Sequence, residues 1–146
     1  MWMTLSFAKN MSRALLFACL LLSACKNAEV VESSYPDLKA ARADSLFKRG
    51  WLPDILPASV ESINCRNNLD RNTSEGSFKI GKDDVSEFAS KLRECKKSAI
   101  DIEEFSRLGE LGFRPQCYQV NETYWIFYLS WESGECIYRL LDEDDL

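Results

Sequence analysis

The chain has 146 residues, with 18 Lys and Arg against 23 Asp and Glu, six Cys and no His. That length suits one compact domain, and 46% hydrophobic with 28% charged residues is a globular composition rather than a disordered one. A formal net charge of −5 argues against a nucleic-acid binder, whose footprint is a basic face. The absence of His removes the Ser–His and Cys–His dyads and every His-containing zinc site.

The first twenty-five residues read as an address. Lys9 and Arg13 precede the apolar run Ala14–Leu22, and Ser23-Ala24-Cys25 follows. Such a run is far short of the roughly twenty residues of a spanning helix, but it suits the apolar region of a signal peptide. The stretch starting at Met11 is a complete signal by itself, which leaves the start at Met1 or Met11. Leu22-Ser23-Ala24-Cys25 resembles the lipobox of bacterial lipoproteins. That resemblance implies a diacylglycerol on the Cys25 thiol, cleavage before Cys25 and acylation of the new terminus with a fatty chain such as palmitate. Two or three chains anchor stably where one does not. Lys26, not Asp, follows the cysteine; in enteric-type lipoproteins this implies the outer membrane, facing the periplasm.

Removal of residues 1–24 takes away Lys9 and Arg13 and no acid, so the mature chain is more acidic still and only its lipid is expected to bind membrane. Residues 25–34 read as a lipidated tether and 35–146 as a single domain. In that domain Pro36 and Gly50 bracket a predicted helix over 37–49. Asp84 and Glu87 open a second, with Val85, Phe88, Ala89, Leu92 and Cys95 on one face. Asp101 opens a third, with Phe105 and Leu108 inward and Gly109 and Gly112 at its end. Alternating segments at 60–65 and 76–80 read as strands, and 116–120, 124–131 and 135–140 as a three-stranded meander with turns at 121–122 and 133–134. Both faces of 124–131 are apolar, so both are expected to be covered. The fold class is α+β: a small antiparallel sheet with two or three helices packed on it.

Once Cys19 leaves with the signal and Cys25 takes lipid, Cys65, Cys95, Cys117 and Cys136 remain. Four cysteines in an exported protein read as two disulfides. Two-residue turns set Cys117 opposite Ile126 and Cys136 opposite Trp131. That puts the two cysteines on opposite faces and about 17 Å apart, beyond the roughly 7 Å limit of a bridge. Of the two remaining connectivities, Cys95–Cys117 with Cys65–Cys136 is preferred to Cys65–Cys117 with Cys95–Cys136.

The densest local signature is Trp51-Leu52-Pro53-Asp54-Ile55-Leu56-Pro57-Ala58-Ser59. With Asn68-Leu69-Asp70-Arg71-Asn72 and Phe78, residues 35–80 resemble a family of exported bacterial proteins and lipoproteins that share a Trp-Leu-Pro…Leu-Pro-x-Ser segment. Trp51, Leu52 and Ile55 are the candidate partner-binding residues; a rigid core connection is the commoner use of such a segment. Asn68–Asn72 reads as a self-satisfied turn, and Asp142–Asp145 as a solvated acidic tail. No nucleophile elbow, phosphate loop or metal-spaced cluster is present, so no catalytic residue, cofactor or metal is expected. The expected function is that of a membrane-anchored envelope lipoprotein acting as an accessory or protein-binding module with an envelope partner. The alternatives are a periplasmic ligand binder or inhibitor of a cationic target such as lysozyme and, third, a hydrolase without His.

Overall fold

The computed structural model describes residues 29–141. The expected signal peptide, the expected lipidation site at Cys25, Lys26 and the expected acidic tail lie outside the described residues. Within them six strands form one antiparallel sheet: β1 (Val30–Asp37), β2 (Glu61–Asn68), β3 (Thr73–Lys79), β4 (Phe113–Val120), β5 (Thr123–Ser130) and β6 (Glu135–Leu141). Their spatial order is β1-β2-β3-β6-β5-β4. The three α-helices are α1 (Leu38–Ala43), α2 (Val85–Ser90) and α3 (Ile102–Glu110). The fold class is therefore α+β with a C-terminal meander, as the alternation and turn residues imply.

The largest difference from the sequence reading is at the start. Residues 30–34, expected in the tether, belong to β1, which continues to Asp37. Pro36 sits in this strand, and an edge strand tolerates it because a missing N–H on the open side breaks no ladder bond. The helix expected over 37–49 is only α1, capped by Asp37, whose side chain accepts from Ala40 N at 2.8 Å. A turn and a 3₁₀ segment at Phe47–Arg49 follow. Gly50, at φ 79°, then reverses the chain where a side chain would be strained.

One face of the sheet is closed. Tyr35, Ile63, Cys65, Phe78, Phe127, Tyr138 and Leu140 lie on it and pack beneath α1, α2 and the segment 51–60. Phe88 of α2 meets Phe127 edge-on at 5.5 Å between ring centroids. Trp51 and Leu52 are in this core, at 9% and 0% exposure, and Ile55 packs against its margin. The Trp125 indole N–H donates to the Trp51 carbonyl at 3.4 Å. The other face is covered only over β4 and β5, by α3 and the loop before it, with Leu108, Phe113, Ile126 and Tyr128 buried. All of Tyr124–Ser130 is buried, as its two apolar faces imply. Phe105, expected inside α3, is instead 40% exposed, because Leu108 alone fills the contact on that short helix.

The disulfides differ from expectation in one half. Cys95 and Cys117 are bonded, with Cα atoms 5.1 Å apart. Next to them Arg93 forms a two-bond bridge with Cys117, both N···O distances 2.8 Å, which covers the outer edge of β4. α2 ends at Ser90, so Cys95 comes to β4 from an extended segment and not from a helix. Cys65 and Cys136 are free thiols. β3 lies between their strands, Cys65 opposite Gly76 and Cys136 opposite Phe78, so two strand spacings of about 4.8 Å each keep them out of bonding range. The meander register also shifts: Cys136 faces Leu129, not Trp131, because the β5–β6 turn spans four residues and closes with Gly134 N on Ser130 O at 2.9 Å. Both thiols are buried, and burial raises the pKa of each, which leaves them unreactive.

Replacing both Cys95 and Cys117 with Ala should lower unfolding stability by about 3 kcal/mol, the order expected for a loop closed over 22 residues. Urea unfolding checks this. An unchanged midpoint would show that the Arg93 bridge and apolar packing alone hold this edge.

Candidate functional site

The site is the uncovered part of the second face, over β1, β2, β3 and β6. Because side chains alternate along a strand and directly paired residues share a face, Glu32, Arg66, Glu75 and Arg139 form one row across four strands. Their charges alternate. Arg66 pairs with Glu32 at 3.5 Å and with Glu75 at 2.9 Å, and Arg139 reaches Glu104 of α3 at 2.9 Å. Arg107, one turn on, also faces Glu104, at 3.8 Å. The next row is uncharged at its outer end, where the Ser34 hydroxyl donates to Asn64 Oδ1 at 2.7 Å and Ser77 pairs with Asn64. The exposed Arg66–Glu32 and Arg66–Glu75 pairs contribute about 0–1 kcal/mol each. Their main effect is to keep the bare half of the face hydrated.

α3 stands along one side of this floor and makes it a groove. A cavity of about 500 Å³ lies over Ser34, Asn64, Arg66, Ser77 and Arg139, with Glu104 and Arg107 on its wall. A second, of about 290 Å³, opens at the β2–β3 turn beside Arg66, Arg71 and Arg139. A third, of about 260 Å³, lies behind the wall between the 98–101 loop, α3 and the floor, where it reaches Ile126 and Tyr128. Arg139 borders all three, and Glu104 borders the first and third. Glu104 is held in place because Asp101 caps α3, its carboxylate accepting from the Glu104 N–H at 2.8 Å. The Glu104 side chain is only 11% exposed. Tyr128 is 1% exposed, and its hydroxyl lies beside the Glu104 carboxylate without making a well-formed hydrogen bond. Burial, then the nearby Glu104 carboxylate, push its pKa from 10.0 up to about 12.

Most residues singled out in the sequence lie elsewhere. Trp51 and Leu52 cannot anchor a partner, since they fill the closed core and would have to leave it, at a cost of about 2–5 kcal/mol each by analogy with core truncations; Ile55 is only partly buried. Asn68 Oδ1 accepts from the N–H groups of Asp70 and Arg71, both at 3.1 Å, and Asn72 takes φ 52°, so this run is a self-satisfied turn, although its Arg71 reaches the rim of the groove. The Glu32–Arg66–Glu75–Arg139 row is not visible in the sequence alone. Its signal is one charged residue on the outward position of each strand, which becomes a pattern only when strand order and register are known. Among the described residues no group of three Cys, Asp or Glu could hold a metal, and no helix is long and apolar enough to cross a membrane.

Residues 29–79 match the family model of the YbbD head domain. The matched span covers about a third of the chain and ends with β3, so it supplies three of the four strands of the groove floor, while β6 and α3 come from beyond it. No curated protein matches the chain, and no solved structure does.

Tyr128→Phe removes a buried hydroxyl that makes no well-formed hydrogen bond, so stability near neutral pH should rise by about 1 kcal/mol. The sign of the pH effect follows from the raised folded-state pKa. The unfolded phenol ionises from pH 10 while the folded one stays neutral until about pH 12, so the phenol's ionisation costs nothing below pH 10 and lowers stability as pH rises from 10 to about 12. Urea unfolding between pH 9 and 11 should therefore show a shallower alkaline loss in Tyr128→Phe than in the parent chain. A destabilised variant with the parent's slope would contradict this.

Proposed function

We propose that this chain is a non-catalytic binding module of a bacterial cell envelope, anchored by lipid on Cys25 and holding an extended segment of an envelope partner in the groove on its open sheet face. The observation that carries the reading is the asymmetry of the sheet: one face is filled by a continuous apolar core, while the other presents a walled groove with a floor of both charge signs. Residues in such a groove are free to exchange hydrated ion pairs for ligand contacts. The Cys95–Cys117 bond supports an oxidising compartment. The lipobox at Leu22–Cys25 supports the tether, and Lys26 supports the outer membrane facing the periplasm. Residues 29–79, which match the YbbD head domain, overlap the stretch that resembles exported bacterial proteins.

Two measurements test the two parts. Intact mass of protein extracted in detergent from its native host should give a terminus at Cys25 carrying acyl chains, and Cys25→Ser should abolish membrane retention. An unmodified terminus elsewhere would overturn the anchor. A photo-crosslinking residue at Ser77, on the groove floor, should give a discrete adduct in the envelope that the same residue at Lys48, outside the groove, does not. Equal patterns from both positions would overturn the groove.

A further inference from the structure

The two edges of the sheet are finished differently. On β4 the segment at Arg93 pairs with Cys117 through two backbone bonds, and the Cys95–Cys117 disulfide holds it there. Among the described residues no strand lies beyond β1. Its bonding pattern shows which backbone groups stay open. The Leu69 N–H donates to the Glu29 carbonyl at 3.0 Å, one step before Val30 faces Asn68 in the same register. Bonded and non-bonded pairs alternate along an antiparallel ladder. Val31, Ser33 and Tyr35 therefore spend their backbone groups on β2, whereas Val30, Glu32 and Ser34 turn theirs outward. Pro36 falls on the next outward position, where the open ladder ends for want of a donor. Exposed edges are commonly blunted by lysine, and β1 carries none.

The side chains along this edge say what would fit it. Val30, Glu32 and Ser34 lie on the groove face, and Val31, Ser33 and Tyr35 on the core face. The row Arg139, Glu75, Arg66, Glu32 alternates in sign and ends at the edge on an acid. Glu32 is also held loosely: its side chain is 75% exposed and 3.5 Å from Arg66, whose closer contact is Glu75 at 2.9 Å. On the other face Val31 is left 44% exposed at the rim of the core.

We propose that β1 takes up one extended segment of another protein as a seventh, antiparallel strand, with a basic residue opposite Glu32 and an apolar residue opposite Val31. The backbone ladder supplies affinity and the alternating side chains supply choice. A cation opposite Glu32 continues the alternation of the row, and an acid there would set like charges face to face. A second copy of the chain fits less well. Antiparallel self-pairing sets Glu32 against its own copy or against Ser34, and in the second register both ends meet Pro36; neither register brings a cation. The inference stands apart from the groove reading, since it uses the backbone of the edge and not the floor of the groove.

The test is an NMR titration of the complete chain in detergent with the blocked heptapeptide Thr-Thr-Val-Arg-Val-Thr-Thr. The amide signals of Val30, Glu32 and Ser34 should shift more than those of Val31, Ser33 and Tyr35. A peptide with Glu in place of Arg should bind about five-fold more weakly, and the exposed substitution Glu32→Arg should reverse that order. N-methylation of the peptide's Arg, whose N–H faces β1, should weaken binding about ten-fold, while N-methylation of the Val before it, whose N–H points away, should leave binding within two-fold. Equal effects of the two methylations, an unchanged order in Glu32→Arg, or no shift along β1 would overturn the proposal. Shifts of Val30–Ser34 that grow with protein concentration in the absence of peptide would overturn it in favour of a second copy. Shifts confined to Ser77 and Arg139 would overturn it and leave the groove standing, which the crosslink at Ser77 decides separately.

Discussion

The pairing of β3 with β6 is the constraint on which the rest of this molecule depends. It joins residues more than fifty positions apart, Ser74–Lys79 against Glu135–Leu140, and without it the sheet is two separate three-stranded pieces. Gly76 makes the joint possible. It lies between Cys65 and Tyr138 in register, and a Cβ there would lie 2.8 Å from the Tyr138 ring and run into the Asn64 carbonyl. With no side chain at that position, the Tyr138 ring lies over the strand, and its hydroxyl contacts Ser74 at 3.3 Å. On the opposite side of the same joint Glu75 faces Arg139. One backbone ladder thus closes the core on one face and assembles the charged floor on the other.

The two faces have opposite chemical characters because they have opposite coverings. Under the first, the chain spends α1, α2 and the segment 51–60 on sealing aromatic and aliphatic side chains from water. Over the second, it provides α3 and a short loop, enough to cover β4 and β5 but not β1 to β3. The uncovered residues are accordingly Glu, Arg, Ser and Asn. The Cys95–Cys117 bond and the Arg93 bridge tie the loop that leads into α3 to the β4 edge. The start of α3 is thereby tied to the edge strand beside which it stands as a wall.

Much of the C-terminal half was legible in the sequence because its contacts are local. The meander strands, the Asp101 cap and the double-sided burial of Tyr124–Ser130 follow from alternation, turn residues and capping chemistry, all within a few positions of one another. The turn after β5 was misread by two residues because Ser133-Gly134 is the end of a four-residue loop, yet a shift of two preserves which face each side chain takes. β1 was invisible: most of its residues are exposed, so it carries no alternation, and it is a strand only because β2 pairs with it. The floor of the groove was equally hidden. Glu32, Arg66, Glu75 and Arg139 are single charges on four strands, unremarkable until the order β1-β2-β3-β6 brings them side by side. The Cys65–Cys136 pairing failed for the same reason, since counting cysteines cannot show that β3 lies between them. Trp51 looked like an anchor because a sequence records its size but not its burial.

The most direct measurement is the set of interstrand nuclear Overhauser contacts between β3 and β6 in the complete chain. The account predicts backbone contacts linking Gly76 with Tyr138 and Glu75 with Arg139, in the same molecule whose Cys65 and Cys136 stay reduced. Contacts pairing β3 with any other strand, or none to β6, would contradict it, because Arg66, Glu75, Arg139 and Glu104 would then no longer share one surface.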